Sequence, residues 1–383
     1  MAEQKRVLML LSNPFRPDPR VHREAISLIR AGYGVTIICW DRDRKHPAEE
    51  VIDGIRLIRL GPEAGWGDSG GFIKALPKFW KNLRKAAANL EFDIIHAHDL
   101  DTLSPGLKLA DKRKIPIVYD SHELYHEMAG ENLSGALVKF LARYEAKMVR
   151  KPPIMITVNE PLADIFRGYG ARDVRVIMNC QPDVQVEAAE VEAAKQVLSP
   201  EGKPIALYIG VLEPNRLLAE LAAQHSGSKG DFILAIGGFG SLEGKLKGLA
   251  EKSNGRVRFI GRVKPSDVPI YNRAADVLLA VYDPSLRNNS IGAPNKLFES
   301  MIAGKPIIVS ANTYAATVVG ETSSGIAVNY EAIEVLAAVS KLLIDSALYK
   351  KCSESGRRAY EEKYNWYVME QRLLEIYSKL LSD

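Results

Sequence analysis

Along this chain, short runs of aliphatic and β-branched residues alternate with longer stretches in which apolar residues return every three or four positions. The short runs read as strands buried on both faces and the longer stretches as amphipathic helices. Their alternation predicts parallel sheets with helical crossovers. The expected strands of the first half are Arg6 to Ser12, Gly34 to Trp40, Ile55 to Leu60, Asp93 to His98, Ile115 to Asp120, Ile154 to Asn159 and Val174 to Asn179. Residues 181–203 then lack the strand signal and carry Pro and Gly near their ends, which marks a crossing between domains. A second series follows: Ile205 to Gly210, Phe232 to Gly237, Val257 to Gly261, Val277 to Val281, Pro306 to Ser310 and Ile326 to Asn329. From about 331 onward the pattern is helical, and the last helix carries Trp366, Tyr367, Leu373, Leu374, Ile376 and Leu380. The expectation is an α/β protein of two Rossmann-like, doubly wound domains, 1–185 and 203–363, facing a central cleft.

Composition narrows the class. The 383 residues suffice for two or three domains, and 46% hydrophobic with 26% charged residues describes an ordinary globular protein. A net charge of +4 gives no support to nucleic-acid binding. No stretch approaches the roughly 20 apolar residues of a membrane span. The apolar run Val7 to Leu11 leads into Asn-Pro, not a small-residue cleavage site, so it is expected to be a first strand and not a signal peptide. Cys39, Cys180 and Cys352 are odd in number and far apart, against a disulfide framework or Cys-rich metal site. A reducing cytoplasm is the expected location.

Open α/β sheets bind ligands at the C-terminal ends of their strands, so the peptides that follow strands are where chemistry is sought. His122-Glu-Leu-Tyr-His126 matches the His-Glu-x-x-His pattern of zinc proteases, with Glu145 as a conceivable third ligand. Zinc chemistry needs both imidazoles one turn apart inside a stable helix. Here the motif follows a strand with almost no room for a preceding turn, so the weight falls on His122 alone as a cleft residue. Gly237-Gly-Phe-Gly240 follows a strand and opens a helix, yet no third Gly stands at Leu242 or Glu243 and no acid ends the next strand. It reads as a tight turn beside a ligand other than NAD. In Pro294-Asn-Lys-Leu-Phe-Glu299, Pro294 suits a helix start and Gly304 its end, which points free N–H groups at an anion. Lys296 in the first turn opposes the helix dipole, a conflict that a bound phosphate removes. Glu299, one turn on from Asn295, is placed to accept hydrogen bonds from a ribose diol.

Together these segments resemble the retaining glycosyltransferases of family 4, with their two-Rossmann GT-B fold. The likeness runs over nearly the whole chain: Asn13-Pro-Phe-Arg-Pro-Asp-Pro-Arg-Val21 with Glu24, Asp-Ile-Ile-His-Ala-His-Asp99, Tyr-Asp-Ser-His-Glu123, Tyr-Ile-Gly210, Gly-Gly-Phe-Gly240, Phe-Ile-Gly-Arg-Val263, Pro-Asn-Lys-Leu-Phe-Glu299 and Ala-Gly-Lys-Pro306. The resemblance implies a nucleotide-diphosphate sugar, UDP- or GDP-linked, on the C-terminal domain and an acceptor glycan, glycolipid or small molecule on the N-terminal one. It implies catalytic roles for His122, Arg216 and Lys296. Donor contacts would come from Gly238, Gly240, Arg262, Val263, Asn295, Leu297 and Glu299, and acceptor-side contacts from Asn13, Arg16, Arg20, His98, Asp99 and Glu123. It also implies that the segment from about 364 to 383 returns to the N-terminal domain, and that no metal is obligatory. His122 is expected as a neutral imidazole oriented by Glu123 or Asp120. Two departures stand out. The family commonly has two Glu seven residues apart, but only Glu299 is present and Ile291 holds the other place, so Asn289, Ser290 or backbone N–H groups would substitute. The usual Arg after the first C-terminal strand is Val211, with Arg216 near the usual Lys.

Residues 72–85 combine five basic residues with Phe72, Phe79 and Trp80. They read either as a Rossmann helix with a solvated basic face or as a peripheral contact with the inner face of a membrane. The expected activity is transfer of a sugar to an acceptor hydroxyl with retention of anomeric configuration. The alternatives are a nucleotide-sugar 2-epimerase of the same fold, a zinc metallohydrolase using His122, Glu123 and His126, and a catalytically inactive sugar-nucleotide sensor.

Overall fold

The computed structural model describes residues 4–16, 18–65, 69–130, 134–228 and 231–382; Pro17 of the opening peptide lies outside them. The chain divides into two units, Met1–Met178 with Met369–Asp383, and Asn179–Val368.

The first unit is built on an eight-stranded sheet. Its strands are β1 (Arg6–Leu11), β2 (Gly34–Trp40), β3 (Glu49–Ile52), β4 (Ile55–Leu60), β5 (Ile94–His98), β6 (Ile117–Ser121), β7 (Ile154–Thr157) and β8 (Val174–Val176). They lie in the order β3-β4-β2-β1-β5-β6-β7-β8, parallel except for β3 against β4. β5, β6 and β7 are buried at every position, the signature of strands covered by helices on both faces. The chain order reverses between β1 and β5, so a switch point opens beyond Leu11 and His98.

The second unit holds six parallel strands: β9 (Ile205–Val211), β10 (Ile233–Phe239), β11 (Val257–Gly261), β12 (Val277–Ala280), β13 (Ile307–Ser310) and β14 (Gly325–Val328). The order is β11-β10-β9-β12-β13-β14, with the switch point between β9 and β12. Two Rossmann-like parallel sheets are therefore present, and every strand expected from the hydrophobic pattern occurs within two residues of its place or shortened at its C-terminal end. β3 was not expected. It pairs with β4 through a tight turn at Asp53 and Gly54, both at positive φ. Residues 181–203 contain a helix, Ala188–Leu198, closed at its start by reciprocal hydrogen bonds between Glu187 and Glu190.

The segment rich in Lys and aromatics forms the helix Ser69–Ala88. Its aromatics face inward: Phe72 and Phe79 stack on Trp40, and Trp80 Nε1 donates to the Asp101 carbonyl. Phe79 is buried in the core and Phe72 and Trp80 are half-buried, while Lys74, Lys78, Lys81 and Lys85 are exposed. Among the described residues no helix is long and apolar enough to cross a membrane.

Candidate active site

At the switch point of the second unit, β9 runs straight into a close approach of two loops. Gly238 has φ +135°, and a Cβ there would lie 1.7 Å from the Gly210 carbonyl oxygen, so only glycine fits. Leu212 N–H donates to Phe239 O at 2.8 Å and locks the β9 and β10 ends together. Over this floor stand two cations. Arg216, at the end of the short helical turn Pro214–Arg216, lies 4.0 Å over the Tyr282 ring and donates to Asn289 Oδ1 at 3.1 Å. Lys296 Nζ lies 4.5 Å over the Tyr208 ring and 3.5 Å from Tyr282 Oη. Burial opposes the Lys296 charge, yet Tyr282, Tyr208 and Glu299 hold its pKa above the ordinary lysine value. Among the described residues no carboxylate forms an ion pair with either cation.

The helix Asn295–Ala303 begins at this point, with Pro294 as its N-cap and Gly304, at φ +62°, ending it. The N–H groups of Asn295 and Lys296 lie before the first helical hydrogen bond, the arrangement that suits an anion. Leu297 departs from its expected role: its side chain is buried in the core and its N–H bonds to Pro294 O at 3.0 Å. Glu299 receives Gln181 Nε2 and Asn272 Nδ2, both at 3.4 Å, and burial raises its pKa. These contacts are long enough for the carboxylate to exchange them for better donors. Arg262, exposed, stacks 4.5 Å over Phe239, and Val263 packs near Gly237. Tyr208, Tyr282, Gln181 and Asn272 were not singled out from the sequence.

Gly210 supplies a clean test of the cation's position. A Cβ there would come 2.6 Å from Lys296 Nζ, the mobile end of a side chain. Gly210→Ala is expected to displace Lys296 and weaken nucleoside-diphosphate binding, measured by calorimetry, with little change in melting temperature. Unaltered affinity would remove Lys296 from the phosphate site.

At the first unit's switch point the polar groups are buried. Arg20, on the helix Pro19–Arg30, grips Asp120 from Nε (3.1 Å) and Nη2 (2.9 and 3.0 Å), donates to Ile177 O, and lies 3.1 Å from Glu24. His96 Nδ1 pairs with Tyr377 Oη of the last helix, Trp366–Leu381, at 2.8 Å. Arg20 and His98 are almost wholly buried, which corrects their assignment to the acceptor side: neither side chain reaches solvent. Asn13 is likewise used within its own loop, Nδ2 donating to Asp18 and Oδ1 accepting from Phe15 N–H. Arg16 is exposed and paired with Glu50. Asp99 and His122 stay accessible at the strand ends. Asp99 Oδ1 accepts the His122 backbone N–H at 3.3 Å, while Asp99 Oδ2 and Asp120 Oδ2 each lie 3.4 Å from a His122 ring nitrogen. The Glu123 carbonyl accepts the Ser121 hydroxyl.

The zinc pattern does not assemble. The helix Tyr125–Gly130 starts after His122, so the two imidazoles do not share a helical face. His126 is buried with Nδ1 2.6 Å from Glu145, which also accepts the Tyr125 and His126 backbone N–H groups. A different set, Glu24, His96, His98 and Asp120, brings four ligand atoms within 4.8 Å of one another. Arg20 already bridges both of its carboxylates. A cavity of about 490 Å³ in this unit is lined by other residues, among them Arg167, Arg175, Arg372 and Lys379; Glu160, Asp164 and Asp173 pair with three of its cations, and Arg372 donates to Val176 O.

Two doubly wound parallel sheets, each with a polar cluster at its switch point, define the GT-B architecture. Residues 20–180 match the family model Glycosyltransferase Family 4, and residues 190–359 match Glycosyl transferases group 1. A glycogen synthase of Mycobacterium tuberculosis is 24% identical over 93% of this chain and 89% of its own. Sucrose-phosphate synthase from Thermosynechococcus elongatus superposes with a TM-score of 0.81 at 19% identity, covering 99% of this chain and 100% of that one. Anabaena HepE, solved in complex with UDP-glucose, gives a TM-score of 0.73 at 15% identity over 98% and 100% of the two chains. The chain belongs to the GT-B glycosyltransferases that join these two family domains.

Proposed function

We propose that the enzyme moves a hexose from a UDP- or GDP-linked donor to an acceptor hydroxyl with retention of anomeric configuration, in glycan, glycolipid or cell-surface polysaccharide synthesis. The observation that carries the reading is the pair Arg216 and Lys296, two cations without carboxylate partners among the described residues, gathered with a helix start over a glycine floor. Such a cradle is made for a diphosphate. The charge that builds on the diphosphate as it leaves is met by these two groups, with no divalent ion required. UDP-glucose in the HepE complex supports a uridine donor. Retention rests on the resemblance to family 4. Cys39, Cys180 and Cys352 are buried and form no disulfide among the described residues, which suits a reducing cytoplasm. The deciding experiment incubates the enzyme with a panel of UDP- and GDP-linked sugars, with and without acceptors, in metal-free buffer, and reads the product anomer by NMR. An inverted product, a 2-epimerised donor, or a strict need for divalent metal would each sink a named part of this reading.

Glu299 is assigned to the ribose hydroxyls. Glu299→Gln keeps the shape but loses a charged acceptor, a contact of about 1.5 to 3 kcal/mol, so affinity for the free nucleoside diphosphate should fall about tenfold or more. Calorimetry with UDP and GDP checks it; wild-type affinity would take Glu299 out of the pocket.

A further inference from the structure

Both nitrogens of the His122 ring lie beside a carboxylate: Nδ1 is 3.4 Å from Asp99 Oδ2 and Nε2 is 3.4 Å from Asp120 Oδ2, an ion-pair distance at which Nε2 completes no hydrogen bond. A neutral imidazole carries a single N–H and would turn a lone pair on one of the two, whereas an imidazolium offers an N–H to each. We propose that Asp99 and Asp120 are positioning residues that clamp His122 as a standing imidazolium, giving the enzyme a fixed positive charge there in place of a proton that comes and goes. This replaces the neutral ring expected from the sequence. For its part in transfer the proposal rests on the function proposed above; the clamp itself does not.

The neighbours on every packed element agree with it. Arg20 and Glu24 come from the helix behind Asp120, His96 and His98 from β5, Asp99 from the helix Asp99–Arg113, and Tyr377 from the last helix through His96. Burial raises the Glu24 pKa, against the pull of Arg20, and lowers those of His96 and His98. Asp99 is raised by burial as well, opposed by His122 through both its ring and its backbone N–H. Asp99 and Asp120 flank the ring, and Arg20 is bound to Asp120 on its far side. Burial works against the His122 charge itself, but Asp99 and Asp120 outweigh it and hold the pKa at about 10. At 3.4 Å both contacts are longer than a tight charge-assisted hydrogen bond, and the side chain is 23% exposed, so an N–H has room to turn towards a ligand hydroxyl.

The test is a ¹⁵N NMR titration of the histidine rings in the full-length protein, with His122 assigned through His122→Gln. Both ring nitrogens should stay protonated through pH 8. Asp99→Asn keeps the shape, the acceptor for the His122 backbone N–H and a residue type that tolerates φ +60°. It should lower the midpoint of His122 by about one to three pH units. A His122 that titrates near its ordinary value of about 6.5, or a midpoint unmoved in Asp99→Asn, overturns the clamp. So does a stoichiometric metal ion bound at Glu24, His96, His98 and Asp120 in the purified protein, because it would take Asp120 from the ring. In the wild type the alkaline limb of kcat should follow the His122 titration and move down with it in Asp99→Asn. If the ring titrates as expected and kcat ignores it, the clamp stands and the assignment of His122 to the sugar falls.

Discussion

Lys296→Ala and Arg216→Ala should each lower turnover by about 10²-fold or more, the scale for removing one preorganised group that meets charge developing in the transition state. Both cations are held before any donor arrives. Lys296 is fixed over Tyr208 and beside Tyr282, and Arg216 is fixed over Tyr282 and tied to Asn289. Little reorganisation is therefore needed when the diphosphate binds and again when it departs. The loss should appear in kcat as well as in KM, because the leaving diphosphate carries more charge on its bridging oxygen than the bound donor does. Arg216→Lys should recover only part of the loss, since an ammonium lacks the planar fork that reaches Asn289 and a phosphate together. Near-normal kinetics in both alanine variants would refute the diphosphate assignment. A rise in KM alone would reduce the pair to ground-state binding.

The second large effect separates two histidines four residues apart. His122→Ala is expected to cut transfer by at least the 10²-fold typical of a lost positioned group, with the fold intact, because its ring is partly exposed and its backbone contact to Asp99 does not depend on the side chain. His126→Ala should do the reverse. Its ring is buried against Glu145, and removing it leaves that carboxylate with only backbone donors. Stability should fall by about 1 to 3 kcal/mol, the cost of a buried polar group that loses its partner, while kcat per folded molecule is kept. Thermal unfolding and steady-state kinetics on both variants check this. Equal loss of activity in the two, with zinc bound to the parent, would revive the hydrolase.

Much of this was readable in the residues. Strand positions were legible because parallel strands buried on both faces are continuous aliphatic runs, and Lys296 was legible because Pro294 and Gly304 bracket a helix whose start suits an anion, whereas Arg216 came from the family resemblance alone. What escaped has physical reasons. β3 has only two apolar residues and one exposed face, so its hydrophobic signal is weak; the Asp53-Gly54 pair was the cue available. Tyr282, Gln181 and Asn272 come to the proposed donor region from separate stretches of the chain, and nothing in local spacing links them. Arg20 and His98 were placed on the acceptor side by the family resemblance, which carries no information on burial. Arg20 is held by a partner a hundred residues on, Asp120, and His98 stacks on His96, which a last helix covers with Tyr377.

The antiparallel strand β3 also bears on how this enzyme behaves in concentrated solution. A parallel sheet that ended at β4 would offer the open amides of Ile55–Leu60 to any other chain. β3 covers them with four residues, too short to template a second strand, and presents Glu49 and Glu50 where a newcomer would have to pair. Shortening the hairpin, or exchanging those two glutamates for valine, would turn a closed border into an adhesive one, and the first symptom would be turbidity with the catalytic groups still in place.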